Sequence, residues 1–562
     1  MRRALNIPAN HSWTRRDFLA TTSLLIAGRA LGAQSRVLPR SVGGAPASAA
    51  AFLPECMGAE ELQALATAAV DAATHAGASY ADIRIAERHL LSVREVFDPN
   101  LNPNVRIDST IAYGVRTLVD GIWAFQHGTV PSLDAVTGSA RQAVATARNY
   151  KGLTKQLVEL TPSPAATGTW TTPIQIDPFT VPIEEQYSRL VALGMATGRT
   201  PGASYTARGM DGISFTWTRE HRVFASSQGS LTRQTFYRAV PDVVIAAFRG
   251  LSYGRTGLPM EQSWLPNFGP VSAGYEAVLV PSLQDDFKAL GEEAVRLASL
   301  PRRVFEVGRY PVVMDGGTIG ALMSHAIGSA MELDRVLGNE SGDATGTFLS
   351  PPESILGTPV FSPLVNVRAS RALPTLLAAQ WDDEGVVPED YTVVKDGRVV
   401  DYHTHRDSAP ALRDWYAQRQ QPLRSHGCAV ALDADQPVSV RAPHLTMTAG
   451  DASLDALIGG ISRGLLVLTT GRVSMVQQMA GGSMGRAILY EIERGRVVRR
   501  AVDAGLQFST RTLWKNLTVL GDRSTVQTRY TELVKGQPWI PMPHGTTAPA
   551  GFFKECDVIA LT

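Results

Sequence analysis

The sequence predicts a multidomain α+β protein, with an N-terminal antiparallel sheet that carries helices and a mainly β C-terminal domain. Three observations predict this. At 562 residues the chain is too long for one hydrophobic core, so two or three domains are expected. The stretch from Glu60 to Arg148 reads helix, strand, hairpin, helix, an order that puts helices on one face of an antiparallel sheet. From Thr347 to the end the pattern is mostly strand with frequent Gly and Pro turns.

The first element is an address rather than a fold. In "TRRDFLATTSLLIAGRALGAQ", Arg15 and Arg16 precede a short apolar run from Phe18 to Gly28. That is a signal-peptide pattern, too short to span a bilayer as a helix. The Arg pair with Phe18 and Leu19 resembles a twin-arginine signal, which carries folded proteins across the inner membrane, so a periplasmic location is expected. Residues 1–33 are assigned to this signal and 34–55 to a linker, although "APASAAA" (Ala45 to Ala51) offers further A-x-A cleavage sites.

The N-terminal α+β domain is expected over 56–160. Glu60 to Ala76 is rich in Ala and Leu and stops at Gly77, a good helix C-cap residue. "ADIRIAERHLLSVREVF" then alternates, with Ile83 and Ile85 on one strand face. "IAYGVRTLVDGIWAFQHG" reads as a hairpin turning at Asp120-Gly121. Ser132 can cap a helix from Leu133 to Arg148, with Val136, Ala140, Ala143, Val144 and Ala147 on its apolar side. A Pro/Thr-rich linker, roughly Thr161 to Pro173, follows.

The middle α+β domain is expected over 174–300. It opens with a helix in "PIEEQYSRLVALGMAT", continues with two strand regions, and closes with a helix from Asp285 to Leu297 that starts at Ser282. The C-terminal domain is expected over 308–562. "RYPVVMD" reads as a buried strand, Thr318 to Leu333 as a glycine-containing helix, and "SLDALIGGISRG" as a helix among strands.

Composition excludes several classes. A net charge of +1 gives no reason to expect nucleic acid or an anionic membrane as partner. No run of 18 or more apolar residues could span a bilayer. Cys56, Cys428 and Cys556 allow at most one intramolecular disulfide and match no zinc spacing.

Four constellations could carry chemistry. In "DYHTHRDS", His403 and His405 would share a strand face with Asp407, enough for a metal or for a plain polar face. "GGSMG" (Gly481 to Gly485) matches G-x-S-x-G, the strand-to-helix nucleophile elbow, with Asp503 or Asp522 and then His544 downstream of Ser483. The next stretch, "RAILYEIERGRVV", reads as strand and turn, which argues against the elbow. "SSQG" and "QPLRSHG" are polar, glycine-punctuated loops that could line a peptide groove, with Arg424 meeting a carboxylate. The fourth is "GALMSHAIGSAMELD", whose small residues let another backbone approach closely. Glu332 and Asp334 would sit near the C-terminal end of that helix, where the macrodipole disfavours carboxylates, so an arginine or a ligand should compensate.

The chain resembles the TldD/PmbA family, the paired TldD and TldE proteins of peptide processing. "YADIRIAER", "GVRTLVDGIWAF", "FASSQGSLTRQTFYRA", "RYPVVMDGGTIGALMSHAIGSAMELD", "WDDEGVVPEDYTVVKDGRVVDY", "QPLRSHG" and "AGDASLDALIGGISRGLLV" carry the resemblance, in the family's order. It implies a TldD/PmbA-like fold and a metallopeptidase-like C-terminal domain. Active members carry H-E-x-x-x-H and a later cysteine that complete a zinc site, the glutamate activating the zinc-bound water. Histidines five apart lie roughly 140° around an ideal helix, so that motif requires a distorted one.

This chain departs from the pattern. Aligning on "A-I-G" and the acidic pair puts Ser324 and Ser329 at the two histidines and His325 at the glutamate; Arg486 falls near the cysteine. Serine is a poor zinc ligand, and arginine is a cation where a thiolate should be. The resemblance therefore implies no cofactor here and a non-catalytic, TldE-like role beside a TldD-like homologue or in a homodimer, with a peptide as ligand. Glu332, Asp334, Arg424 and Arg486 are candidates to bind it. The competing expectations are a peptidase with a metal site rearranged around His325, a serine hydrolase built on Ser483, and a stand-alone periplasmic binding module.

Overall fold

The computed structural model describes residues 48–561, apart from 95–103, 154–156, 197–204, 210–212, 243, 250–260, 265–268, 341–345, 470–471, 486 and 537–539. The signal segment and Arg486 lie outside the described residues.

A six-stranded sheet organises the N-terminal half. Helix α1 (Ala59–His75) leads into the long strand β1 (Tyr80–Arg94). Strands β2 (Asn104–Val119) and β3 (Ile122–Gly128) form the expected hairpin, and Asp120 and Gly121 take positive φ of 51° and 77° at its turn. Helix α2 (Leu133–Asn149) starts at Ser132, whose hydroxyl accepts a hydrogen bond from the Ala135 N–H. Then come β4 (Thr167–Thr171), α3 (Ile183–Ala196), β5 (Tyr205–Gly209), β6 (Ser214–Ser226), β7 (Leu231–Asp242), β8 (Val244–Arg249), β9 (Glu261–Trp264) and α4 (Leu283–Ala298). The sheet order is β3-β2-β1-β6-β7-β4, with β5, β8 and β9 in a small separate sheet. The Pro/Thr-rich stretch expected to be a plain linker thus contributes an edge strand, β4, which pairs parallel with β7.

One long strand joins what the sequence presents as two helix–strand units. β1 pairs with β2 on one side and with β6 on the other over nearly its whole length. Alternation then sorts its side chains. Ile83 and Ile85 point to a core built with α1 and α2; Leu91 and Val93, further along the same face, point to a core with α3 and α4. The opposite face is charged and buried. Asp82 pairs with Arg84 and Arg116, and Arg116 also reaches Glu384; Glu220 pairs with Arg222, which also reaches Asp383.

Among its described residues, the C-terminal half has two large sheets with a shared core, and a two-stranded one pairing Ala429–Val430 with Ser439–Val440. β10 (Arg302–Val304) and β11 (Gly308–Met314) enter a ten-stranded sheet, in which β11 lies between the Arg463–Thr469 and Gly551–Ala560 strands. The second, six-stranded sheet ends on the Ile540–Ala548 and Gln527–Lys535 strands. Helix α5 (Gly316–Met323) lies buried between the two sheets. The helix expected over "SLDALIGGISRG" is shorter, Leu454–Gly459, because the glycine pair ends it and a strand starts at Arg463. No helix among the described residues is long and apolar enough to cross a membrane.

Candidate functional site

The site is the C-terminal end of α5, where the family motif falls. Asp315 starts the helix, its Oδ1 accepting from the Thr318 N–H at 2.7 Å. Gly316, Gly320, Ser324 and Gly328 recur every four residues and face the Ile540–Ala548 strand. A Cβ on Gly316 would lie 2.2 Å from the Ala548 carbonyl oxygen, one on Gly320 2.6 Å from Thr546 Oγ1, and one on Gly328 2.9 Å from His544 Cε1. Four helical residues rise about 6 Å and two strand residues about 6.7 Å, so the contacts keep nearly in step. Small residues here serve the close approach that the sequence suggests.

The helix does not continue regularly to Leu333. Ser324–Gly328 is a π-helical turn and Ser329–Met331 a 3₁₀ turn. The Ser329 N–H donates to the Ser324 carbonyl, the i→i+5 bond of a π turn. A five-residue spacing that is splayed on an α-helix is thereby gathered toward one side. The distortion that H-E-x-x-x-H requires is present without its histidines.

Ser324 is fully buried, and its hydroxyl lies 3.1 Å from the Gly320 carbonyl and 3.0 Å from His544 Nδ1. His544 Nε2 donates to the Pro443 carbonyl at 2.8 Å. Burial drives His544 down to about 3, so the ring is neutral and the single Ser324 hydroxyl proton is shared between the Gly320 carbonyl and Nδ1. A serine on an imidazole is the beginning of nucleophilic chemistry. Here both groups are shut away from solvent, and a substrate carbonyl has no approach. His325 is partly exposed, and burial followed by Arg335 pushes it down to about 4, which keeps it neutral. Ser329 is buried.

The acidic pair lies past the helix rather than at its end. Glu332 has extended backbone and caps the short turn Leu333–Val336, which places Asp334 in the first turn of that helix. Lys535, which sequence reasoning did not single out, reaches both carboxylates, at 2.9 Å from Glu332 Oε2 and 2.7 Å from Asp334 Oδ1. The remaining oxygens accept from the Ala442 and Val440 N–H groups. Burial pushes Asp334 up, but Lys535 outweighs it and holds the carboxyl below its ordinary value. The expected compensating group is a lysine of this chain. Glu332 and Asp334, expected as candidates to bind a ligand, are thus both engaged by groups of this chain.

The other candidates also resolve into internal contacts. His403 and His405 do not share a strand face. His403 lies in an isolated bridge to Glu332, with Nδ1 2.6 Å from Tyr391 Oη, whereas His405 pairs with Asp407 at 2.8 Å. Arg424, expected to meet a peptide carboxylate, meets Glu389 of this chain at 2.8 Å, and Glu389 also pairs with His426. The "SSQG" loop meets Arg406 through Gln228 at 2.7 Å. Ser483 sits in mid-strand, its neighbours Ser474 and Gln507 on either side, and no helix follows. With His544 committed to Ser324 and Pro443, the Ser483 triad is not assembled.

The donor set at the motif does not fit zinc. Two buried serines and one histidine replace two imidazoles and a carboxylate. Among the described residues of this half, no three His, Cys, Asp or Glu donors lie within 4.8 Å of one another. The metal site rearranged around His325 with His403, His405 or His426 is therefore not formed.

Residues 307–560 match the PmbA/TldA metallopeptidase C-terminal domain. A metalloprotease of Methanothermobacter thermautotrophicus is 24% identical over 455 residues, covering 79% of this chain and 88% of that protein. Two solved structures of proposed DNA gyrase modulators share the fold. The one from Thermotoga maritima has a TM-score of 0.63 at 15% identity, covering 87% of this chain and 98% of its own. The one from Bacteroides thetaiotaomicron has a TM-score of 0.64 at 15% identity, covering 90% and 100%. TldE from Thermococcus kodakarensis has a TM-score of 0.61 at 14% identity, covering 87% and 99%. Residues 307–560 thus carry the C-terminal domain of the TldD/PmbA family, and the chain shares the fold of TldE.

Proposed function

We propose that this chain is a non-hydrolytic, TldE-like member of a peptide-processing assembly, exported to the periplasm by its twin-arginine signal. One observation carries the reading. The motif positions hold Ser324, His325 and Ser329, and the Ser324 hydroxyl is taken up by Gly320 and His544. Without two imidazoles, a thiolate and a carboxylate, no zinc-bound water can be generated at this place. The catalytic subunit would be a homologue with an intact H-E-x-x-x-H, and this chain would supply surface that positions the peptide. The test combines the purified chain with such a homologue in a peptidase assay. The chain alone should show no hydrolysis, and the pair should associate and cleave. Zinc bound stoichiometrically and lost in His325→Ala would overturn the reading. So would a chain that never associates.

A further inference from the structure

A cluster of donors in the N-terminal half takes no part in the α5 site. The segment between Phe52 and Ala59 crosses the N-terminal sheet from the α3–α4 core to the α1–α2 core. At the seam between the two cores, the helix-side face of β1 changes from apolar to Glu87 and His89, and the crossing segment lays Cys56 over them. Cys56 Sγ is 3.2 Å from His89 Nε2, Glu87 Oε1 is 3.6 Å from the same nitrogen, and Glu87 Oε2 accepts from the Met57 N–H at 3.1 Å. One donor atom from each of the three residues lies within 4.8 Å of the others.

We propose that Cys56, Glu87 and His89 form a site for a thiophilic divalent cation, Zn²⁺ being the natural occupant, with solvent in the fourth position. Donors around tetrahedral zinc stand about 3.5 Å apart, so a small inward movement of Cys56 suffices. Glu87 and His89, two apart on one strand, project from the same face and are buried, so two ligands are held in place before metal arrives. Cys56 is exposed and gives the ion its way in. On binding, the thiol loses its proton to solvent, and thiolate plus carboxylate balance the dication. The nearby Arg219 guanidinium is tied to Asp177 at 3.3 Å. His89 Nδ1 is buried without a hydrogen bond, so the usual outer support of a ligating imidazole is missing and the site should be weaker than a closed structural one. Its effect would be to staple the entering chain across both cores.

The experiment uses the full chain, freed of metal by chelation. Titration with Co²⁺ should give a near-ultraviolet thiolate-to-cobalt absorption that saturates at one equivalent and is displaced by Zn²⁺. Cys56→Ser should abolish that band, and His89→Gln should weaken binding at least about tenfold. His325→Gln should leave it unchanged. In the unaltered protein, Zn²⁺ should also protect the one exposed thiol from a thiol reagent, since Cys428 and Cys556 are buried. Absence of the cobalt band, equal Zn²⁺ uptake by Cys56→Ser, or no protection of the thiol would each mean that the cluster is only a hydrogen-bonded anchor.

Discussion

At the scale of single residues, the site turns on the hydrogen bonds of Ser324. Ser324 stands where the family resemblance puts a histidine, and His544 comes from a strand 220 residues later to meet it. The sequence could show that the ligands were absent. It could not show that His544 or Lys535 fills their surroundings, because both reach the site from strands distant in the chain. His544 is held neutral by burial at about 3, against about 6.5 unfolded. Between those values the unfolded chain binds a proton that the native one does not, so acid destabilises the fold as pH falls from about 6.5. His544→Gln keeps an acceptor and a donor and should flatten this acid slope in melting temperature measured from neutral pH down to pH values near 4. An unchanged slope would remove His544 from that role. His405 runs the other way. Burial opposes its charge, but Asp407 outweighs burial and raises it to about 9, so its contribution is complete below about 6.5 and is lost as pH climbs through 9. Asp407→Asn should therefore make stability less sensitive to alkali over that range, as read by urea unfolding at several pH values.

At the scale of elements, α5 is a packing helix, buried along its whole length. Gly320→Ala pushes a methyl to 2.6 Å from Thr546 Oγ1 and should cost about 1–3 kcal/mol in urea unfolding. Gly138→Ala is the control. It lies inside α2 with nothing within 4 Å of the added methyl, so it should stabilise by about 0.5–1 kcal/mol. Equal effects of the two changes would mean that helix propensity, not close approach, governs both. Elements with a strong local period were legible: α1, β1, the Asp120-Gly121 hairpin and the Ser132 cap stand where their residues put them. The π turn was legible only through the motif spacing. The break of the helical stretch at Glu332, past α5 and its two turns, was not, since the backbone there is set by pairing with His403, a partner that no local pattern reveals.

At the scale of the whole molecule, buried charge joins the two halves. Arg116 pairs with Asp82 on its own sheet and with Glu384 at 3.1 Å across the boundary, and the other Glu384 oxygen accepts from the Arg406 N–H. The α+β class could be read from element order. The single sheet shared by β2, β1 and β6 could not, because alternation marks a strand without naming its neighbours. Glu384→Gln keeps the shape and removes the charge; since Arg116 retains Asp82, it should destabilise by about 1–3 kcal/mol by urea unfolding. The proposal that this fold is kept without metal-dependent hydrolysis at α5 meets its most direct test in peptide hydrolysis. The isolated full chain is supplied with Zn²⁺ and set beside the same assay with a family homologue that carries an intact H-E-x-x-x-H. The chain alone should give no turnover, with cleavage only when the homologue is present. Turnover by the chain alone that disappears in His325→Ala would contradict the proposal.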